Sequence, residues 1–144
     1  MTTVEWTITV TDVPGAAATM VIGGGLNRYN REKAGYWDSR TLAVLVSDPV
    51  SHEVIGGALG HTSLGLAFID LVFQPTEVRG QDVGRRMMRM AEDEARRRGC
   101  RAVVLYTISF QAPGFYERLG YRRFGAIDCD PPGTSRIFFV KELG

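Results

Sequence analysis

Three consecutive segments constrain the fold of this chain more than anything else in it. Leu66 to Phe73 is an apolar, strand-like run, and the basic loop Val78-Arg79-Gly80-Gln81-Asp82-Val83-Gly84-Arg85-Arg86 follows it. That loop opens an amphipathic helix over residues 82–98, and Ala102 to Ile108 is then a continuous apolar, β-branched run, the pattern of a strand covered on both faces. Strand, helix and strand in this order predict a right-handed βαβ unit with parallel strands. The loop becomes an anion site, because the first N–H groups of a helix lack intrahelical partners and the macrodipole is positive there. Glycines let a ligand approach the backbone, and Arg79, Arg85 and Arg86 add full charges, so a phosphate or pyrophosphate is expected. A Walker A loop is excluded because Arg85-Arg86, not Lys-Ser/Thr, follows Gly84. Gly80 and Gly84 do not supply a dinucleotide fingerprint, and the Gly23-Gly24-Gly25 run fails as one because Arg28 stands where a third glycine is needed.

The helix places Val83, Met87, Met90, Ala91 and Ala95 on a core-facing stripe. Glu92–Arg96, Asp93–Arg97 and Glu94–Arg98 are spaced i,i+4 on its outer face, so the arginine run reads as a solvated helix end. Elsewhere, Val4 to Val10 alternates like a strand. Residues 14–34 are loosely helical, although three mid-segment glycines each cost about 1 kcal/mol against helix. Leu42–Val46, Val54–His61 and Leu66–Phe73 form an antiparallel meander. Pro113–Leu119 is a short helix, and Tyr121–Ile127 and Arg136–Val140 make a closing hairpin around Pro131-Pro132-Gly133. The expected fold is an α/β (α+β) mixed sheet, with an antiparallel N-terminal meander, a central parallel pair and a C-terminal hairpin.

At 144 residues the chain is expected to be a single domain, 1–144. A net charge of +1 weighs against a nucleic-acid binder that works by bulk electrostatics. No apolar run approaches the roughly 20 residues of a membrane span. Cys100 and Cys129 have no CxxC spacing, which suits two reduced thiols in a cytoplasmic protein better than a disulfide or a metal site. Monomer and homodimer are both left open.

The order of elements, the VRGQDVG loop and the segment from Ala112 to Tyr121 (AxxFYERLGY) together resemble the GNAT superfamily of acyl-CoA-dependent N-acetyltransferases. The resemblance is clearest from about Thr41 onward. It implies acetyl-CoA as cosubstrate, with its pyrophosphate on Arg79, Gly80, Gln81, Asp82, Val83, Gly84 and Arg85. Asp82 departs from the family pattern, which usually has glycine there, and its carboxylate is expected to turn outward as a helix N-cap. The resemblance further implies that Leu71, Val72 and Phe73 offer backbone groups to the pantetheine arm. Ser109 stands where many members carry an asparagine that contacts this arm, and Tyr116 matches the family's general-acid tyrosine.

The chemistry wants such residues independently. An alkylamine with a pKa near 10.4 must lose a proton at a cost of about 4–5 kcal/mol at neutral pH, attack a thioester and expel a thiolate. A backbone N–H near Val72 suits the developing oxyanion, and a tyrosine hydroxyl suits the departing thiolate. Asp70 is the acid of the apolar strand, on one face with Phe68 and Val72 by alternation, and desolvation would make it a base. His61 ends the preceding strand and can take a proton near neutral pH. Asn27, Tyr29 and Trp37, with His61, are expected to form an acceptor pocket. The reading is an acetyltransferase acting on a small-molecule amine. A protein or aminoacyl-tRNA acetyltransferase and a non-catalytic acyl-CoA-binding module are the alternatives.

Overall fold

The computed structural model describes residues 3–144. The chain divides into two compact units, Met1–Trp37 and Asp38–Gly144. The first contains one helix, α1 (Gly15–Ala34). Its three internal glycines do not break it, because Ala16–Ala18 and the stretch from Leu26 to Ala34 are rich in strong helix formers. The strand expected over Val4–Val10 is not formed, and residues 3–11 are irregular. Alternation suits one face of a sheet but does not itself supply a ladder partner.

The second unit holds β1 (Arg40–Ser47), β2 (Val54–Ser63), β3 (Leu66–Phe73), α2 (Val83–Arg97), β4 (Ala102–Ile108), α3 (Pro113–Arg118), β5 (Arg122–Cys129) and β6 (Thr134–Glu142). The six strands form one sheet in the order β1-β2-β3-β4-β6-β5. All neighbours are antiparallel except β3 and β4, the parallel pair expected of the βαβ unit. Helix α2 packs on β1, β2 and β4. Its Met87, Met88, Ala91 and Ala95 meet Leu42, Ala67, Ile69, Val103 and Phe139 in the core. Met88 is fully buried, whereas Met90, expected in the stripe, is 59% exposed. A fully buried side chain of this size contributes about 1.5–3 kcal/mol, so the exchange matters to the helix's rotation on the sheet.

Two charged residues read as solvated are drawn inward. The Glu92 carboxylate is buried and accepts hydrogen bonds from the Tyr121 hydroxyl and the Lys141 ammonium, each at 2.8 Å. It is paired on both oxygens, as a buried charge must be. Arg98 donates to Glu94 at 2.8 Å, to the Thr41 carbonyl at 3.0 Å and to the Thr62 hydroxyl at 3.1 Å, so it ties the end of α2 to β1 and β2. Arg96 and Arg97 stay outside, paired at i,i+3 with Asp93 and Glu94.

Two irregularities in the sheet position the site. The β2–β3 register runs Leu59↔Leu71 and then Gly60↔Ile69, which leaves Asp70 as an extra, bulged residue. The bulge inverts the face pattern beyond it. Val72 therefore packs with the core, on the side of Ala67 and Ile69, and not with Phe68 and Asp70 as plain alternation required. Gly60 lies opposite, where a Cβ would run into the Phe68 carbonyl. The second irregularity is a parting of the parallel pair. β3 pairs with β4 only from Leu66↔Ala102 to Ile69↔Leu105, while β4 stays paired with β6 as far as Ile108.

Candidate active site

The parting of β3 and β4 opens the sheet between Asp70–Phe73 and Tyr106–Ile108, and Gln111 finishes the free end of β4. Its side-chain carbonyl accepts from the Thr107 hydroxyl at 2.9 Å and the Ile108 N–H at 3.0 Å. Three cavities follow one another by shared lining residues, and the second and third border this opening. The first, about 460 Å3, lies at the start of α2 and is lined by Arg79, Gly80, Asp82, Val83, Gly84 and Arg85, joined by Arg118. The second, about 550 Å3, shares Gln74, Arg79 and Phe115 with the first and adds Val72, Phe73, Thr107 and Tyr116. The third, about 230 Å3, shares Val72, Thr107, Gln111 and Tyr116 with the second and adds Asp70, Leu71 and Arg136.

The residues at the first cavity suit an anion. The first hydrogen bond within α2 runs from the Arg86 N–H to the Asp82 carbonyl, so the N–H groups of Val83, Gly84 and Arg85 are left for a ligand. Gly80 has φ 77°, and a Cβ on Gly84 would collide with the Gln74 side-chain amide, which itself lines the groove. The loop is thus a cradle that a larger residue would fill, and its N–H groups and Arg79 fit a pyrophosphate such as the resemblance implies. Gln81 contributes from outside, by donating to the Glu77 carbonyl and closing the turn.

Asp82 does not cap the helix. It adopts φ 66°, the left-handed region, and its side chain makes no cap hydrogen bond. Instead it forms a fork with Arg85, Nε to Oδ1 at 2.8 Å and Nη2 to Oδ2 at 2.9 Å. This hydrogen bond and charge hold the Asp82 carboxyl below the usual carboxylate value. The backbone explains the preference for glycine at this position, since Asp is one of the few other residues that tolerate positive φ. Arg85 is accordingly engaged by Asp82 rather than free for a ligand.

Tyr116 lies where the second and third cavities meet, held by edge contacts to Phe115 and Tyr121 and by Phe139 beneath. Burial pushes its phenol above the usual tyrosine value, which favours the protonated, donating form. Tyr121 differs: its hydroxyl is committed to Glu92. On the other side of the opening, Asp70 Oδ2 lies 3.3 Å from His61 Nδ1, and the His61 ring stacks on Phe68 at 5.0 Å. The Asp70 side chain is 58% exposed, so the burial expected to make it a base is absent, and its partner is His61.

Ser109, expected at the pantetheine arm, also holds β4 to β6. Its hydroxyl accepts the Ser135 N–H at 3.0 Å, and its own N–H donates to the Ser135 carbonyl. Asn27 and Tyr29 lie on α1, and Trp37 closes the first unit. Gln74, Thr107, Gln111, Phe115 and Arg136 line the cavities without having been singled out by sequence. Gln74 and Gln111 sit just past strand ends, a position that alternation does not reach. Arg136 looked like any exposed strand residue.

A mixed sheet split at its parallel pair, with an anion cradle at the following helix, is the GNAT-like architecture. Residues 22–121 match the acetyltransferase (GNAT) family, and the chain belongs to that family. It is 35% identical to an acetyltransferase of Agrobacterium fabrum, over 93% of this chain and 97% of the relative. It is 40% identical to the blasticidin-S acetyltransferase of Streptomyces morookaense, over 63% of this chain and 68% of that one. Among solved structures, an acetyltransferase from Bacillus cereus superposes with a TM-score of 0.77 at 26% identity, covering 94% of this chain and 98% of its own.

Proposed function

We propose that this protein transfers the acetyl group of acetyl-CoA to the amine of a small molecule by direct attack. One observation carries the reading: three cavities with shared lining residues lead from the anion cradle, past the gap between β3 and β4, to Asp70, with Tyr116 lining the second and the third. The likeness to the blasticidin-S acetyltransferase supports a small-molecule acceptor.

In this reading the N–H groups of Val83, Gly84 and Arg85, with Arg79, hold the pyrophosphate. The backbone of Leu71, Val72 and Phe73, freed of its strand partner, meets the pantetheine arm. Bound there, acetyl-CoA supplies an activated thioester, whose C–S bond breaks as the amine's N–C bond forms. The Asp70–His61 pair receives the proton that the amine gives up. Tyr116 keeps its proton at the junction, where its hydroxyl stabilises the departing sulfur and protonates it late. The products are an N-acetylated amine and the free thiol, and solvent returns the proton to Tyr116.

Tyr116→Phe tests this reading. A group acting mainly on the departing thiolate lowers kcat by about 10²-fold or more, while acetyl-CoA affinity stays within about threefold. The sign of the burial effect also sets the pH dependence. The phenol stays protonated to higher pH than an ordinary tyrosine, so any basic limb of kcat that it causes lies above about pH 10. Equal kcat in the two proteins, with chemistry shown to be rate-limiting, removes Tyr116 from the reaction.

A further inference from the structure

We propose that the acceptor is dipolar, an amine that also carries an oxyanion, with the amine at the Asp70–His61 pair and the oxyanion on Arg136. This rests on the acetyl-transfer reading and narrows its substrate class. The third cavity lies on the side of the gap away from the anion cradle, and Asp70 and Arg136 are the charged side chains among its lining residues. Each has a different standing in the sheet. Asp70 is bulged out of the β2–β3 ladder and paired with His61 at 3.3 Å.

Arg136 has no such partner. Its cross-strand neighbours are Ile108 on β4 and Ile127 on β5, both apolar, and among the described residues no carboxylate lies within salt-bridge reach of it. The nearby arginines of β5 are used structurally, Arg122 with Glu142 and Arg123 with Glu117. An arginine that stabilised the sheet would face an acid across the strands. This one lines a cavity, exposed, with apolar neighbours on both adjoining strands.

A small cavity with a carboxylate on one wall and an unpaired guanidinium on another is complementary to opposite charges on one ligand. A purely cationic amine is repelled by Arg136, and a neutral one leaves it unused. The planar fork of arginine accepts a carboxylate or a phosphate in a bidentate manner. The oxyanion is therefore a carboxylate or a phosphate, and the two are distinguished by the amines compared below.

The experiment measures acetylation by acetyl-CoA of matched amines. Short ω-amino acids are compared with their methyl amides, and O-phosphoethanolamine is compared with ethanolamine. The expected result is that wild-type kcat/KM favours one oxyanion-bearing series over its neutral partner by about tenfold or more, the scale of a charge-assisted hydrogen bond. Arg136→Met collapses that preference toward one, and Arg136→Lys restores part of it. Equal use of charged and neutral partners by the wild type, or a preference that survives in Arg136→Met, overturns the dipolar assignment while leaving acetyl transfer standing. Acetylation of none of these amines, nor of any amine in a wider mixture, overturns the acetyl-transfer reading and this inference with it.

Discussion

Asp82 sits at the entrance to α2 in a left-handed conformation and engages Arg85 through two hydrogen bonds. The pair keeps a carboxylate at the rim of the anion cradle and diverts one of its arginines. Asp82→Gly removes the negative charge, releases Arg85 and suits the backbone angle. We expect acetyl-CoA to bind several-fold more tightly, with the gain largest at low ionic strength, where charges are least screened. Titrations of both proteins at two salt concentrations check this, and an affinity indifferent to the substitution contradicts it. The sequence showed that a carboxylate here was out of pattern but not where it pointed. Ser, Asp and Asn before a helix are read as caps by residue type alone, whereas a cap also needs extended backbone, and Asp82 has φ 66°.

At the scale of elements, the opening in the sheet depends on how two strand ends are finished. Gln111 satisfies the Ile108 N–H and the Thr107 hydroxyl where β4 loses β3 as a neighbour. Gln111→Ala leaves those groups without their partner, at a cost of about 0.5–1.5 kcal/mol for bonds at a partly exposed strand end, and should lower the melting temperature measurably. An unchanged Tm would show that water replaces the amide without loss. Gly84→Val acts at the other end of the groove. Its side chain would collide with the Gln74 amide, which lines the first two cavities. Calorimetry should find acetyl-CoA binding weakened by about tenfold or more in a protein that still folds. The strands and helices of the second unit were legible because their hydrophobic periods are strong, and their limits shifted by only a few residues. The bulge at Asp70 was not legible, because adding one residue to a ladder leaves the composition of the strand unchanged. The burial of Glu92 was hidden for another reason: its partners, Tyr121 and Lys141, lie far along the chain.

For the molecule as a whole, one face of the sheet carries α2, with the anion cradle at its start, and the gap between β3 and β4 leads through to Asp70. A sheet with all its strands paired would separate those two surfaces. Here the parted strands leave two neighbouring cavities at the gap, and Tyr116 lines both. The most direct test of this account is an incubation of the purified protein with acetyl-CoA and a mixed panel of small amines. Free thiol release and acetylated products are followed together, the products by mass, and Gly84→Val is run alongside. Thiol release should depend on an amine and be matched by at least one N-acetylated product, with both signals greatly reduced in Gly84→Val. Acetyl-CoA that binds but is never turned over with any amine would contradict acetyl transfer and leave a binding module in its place.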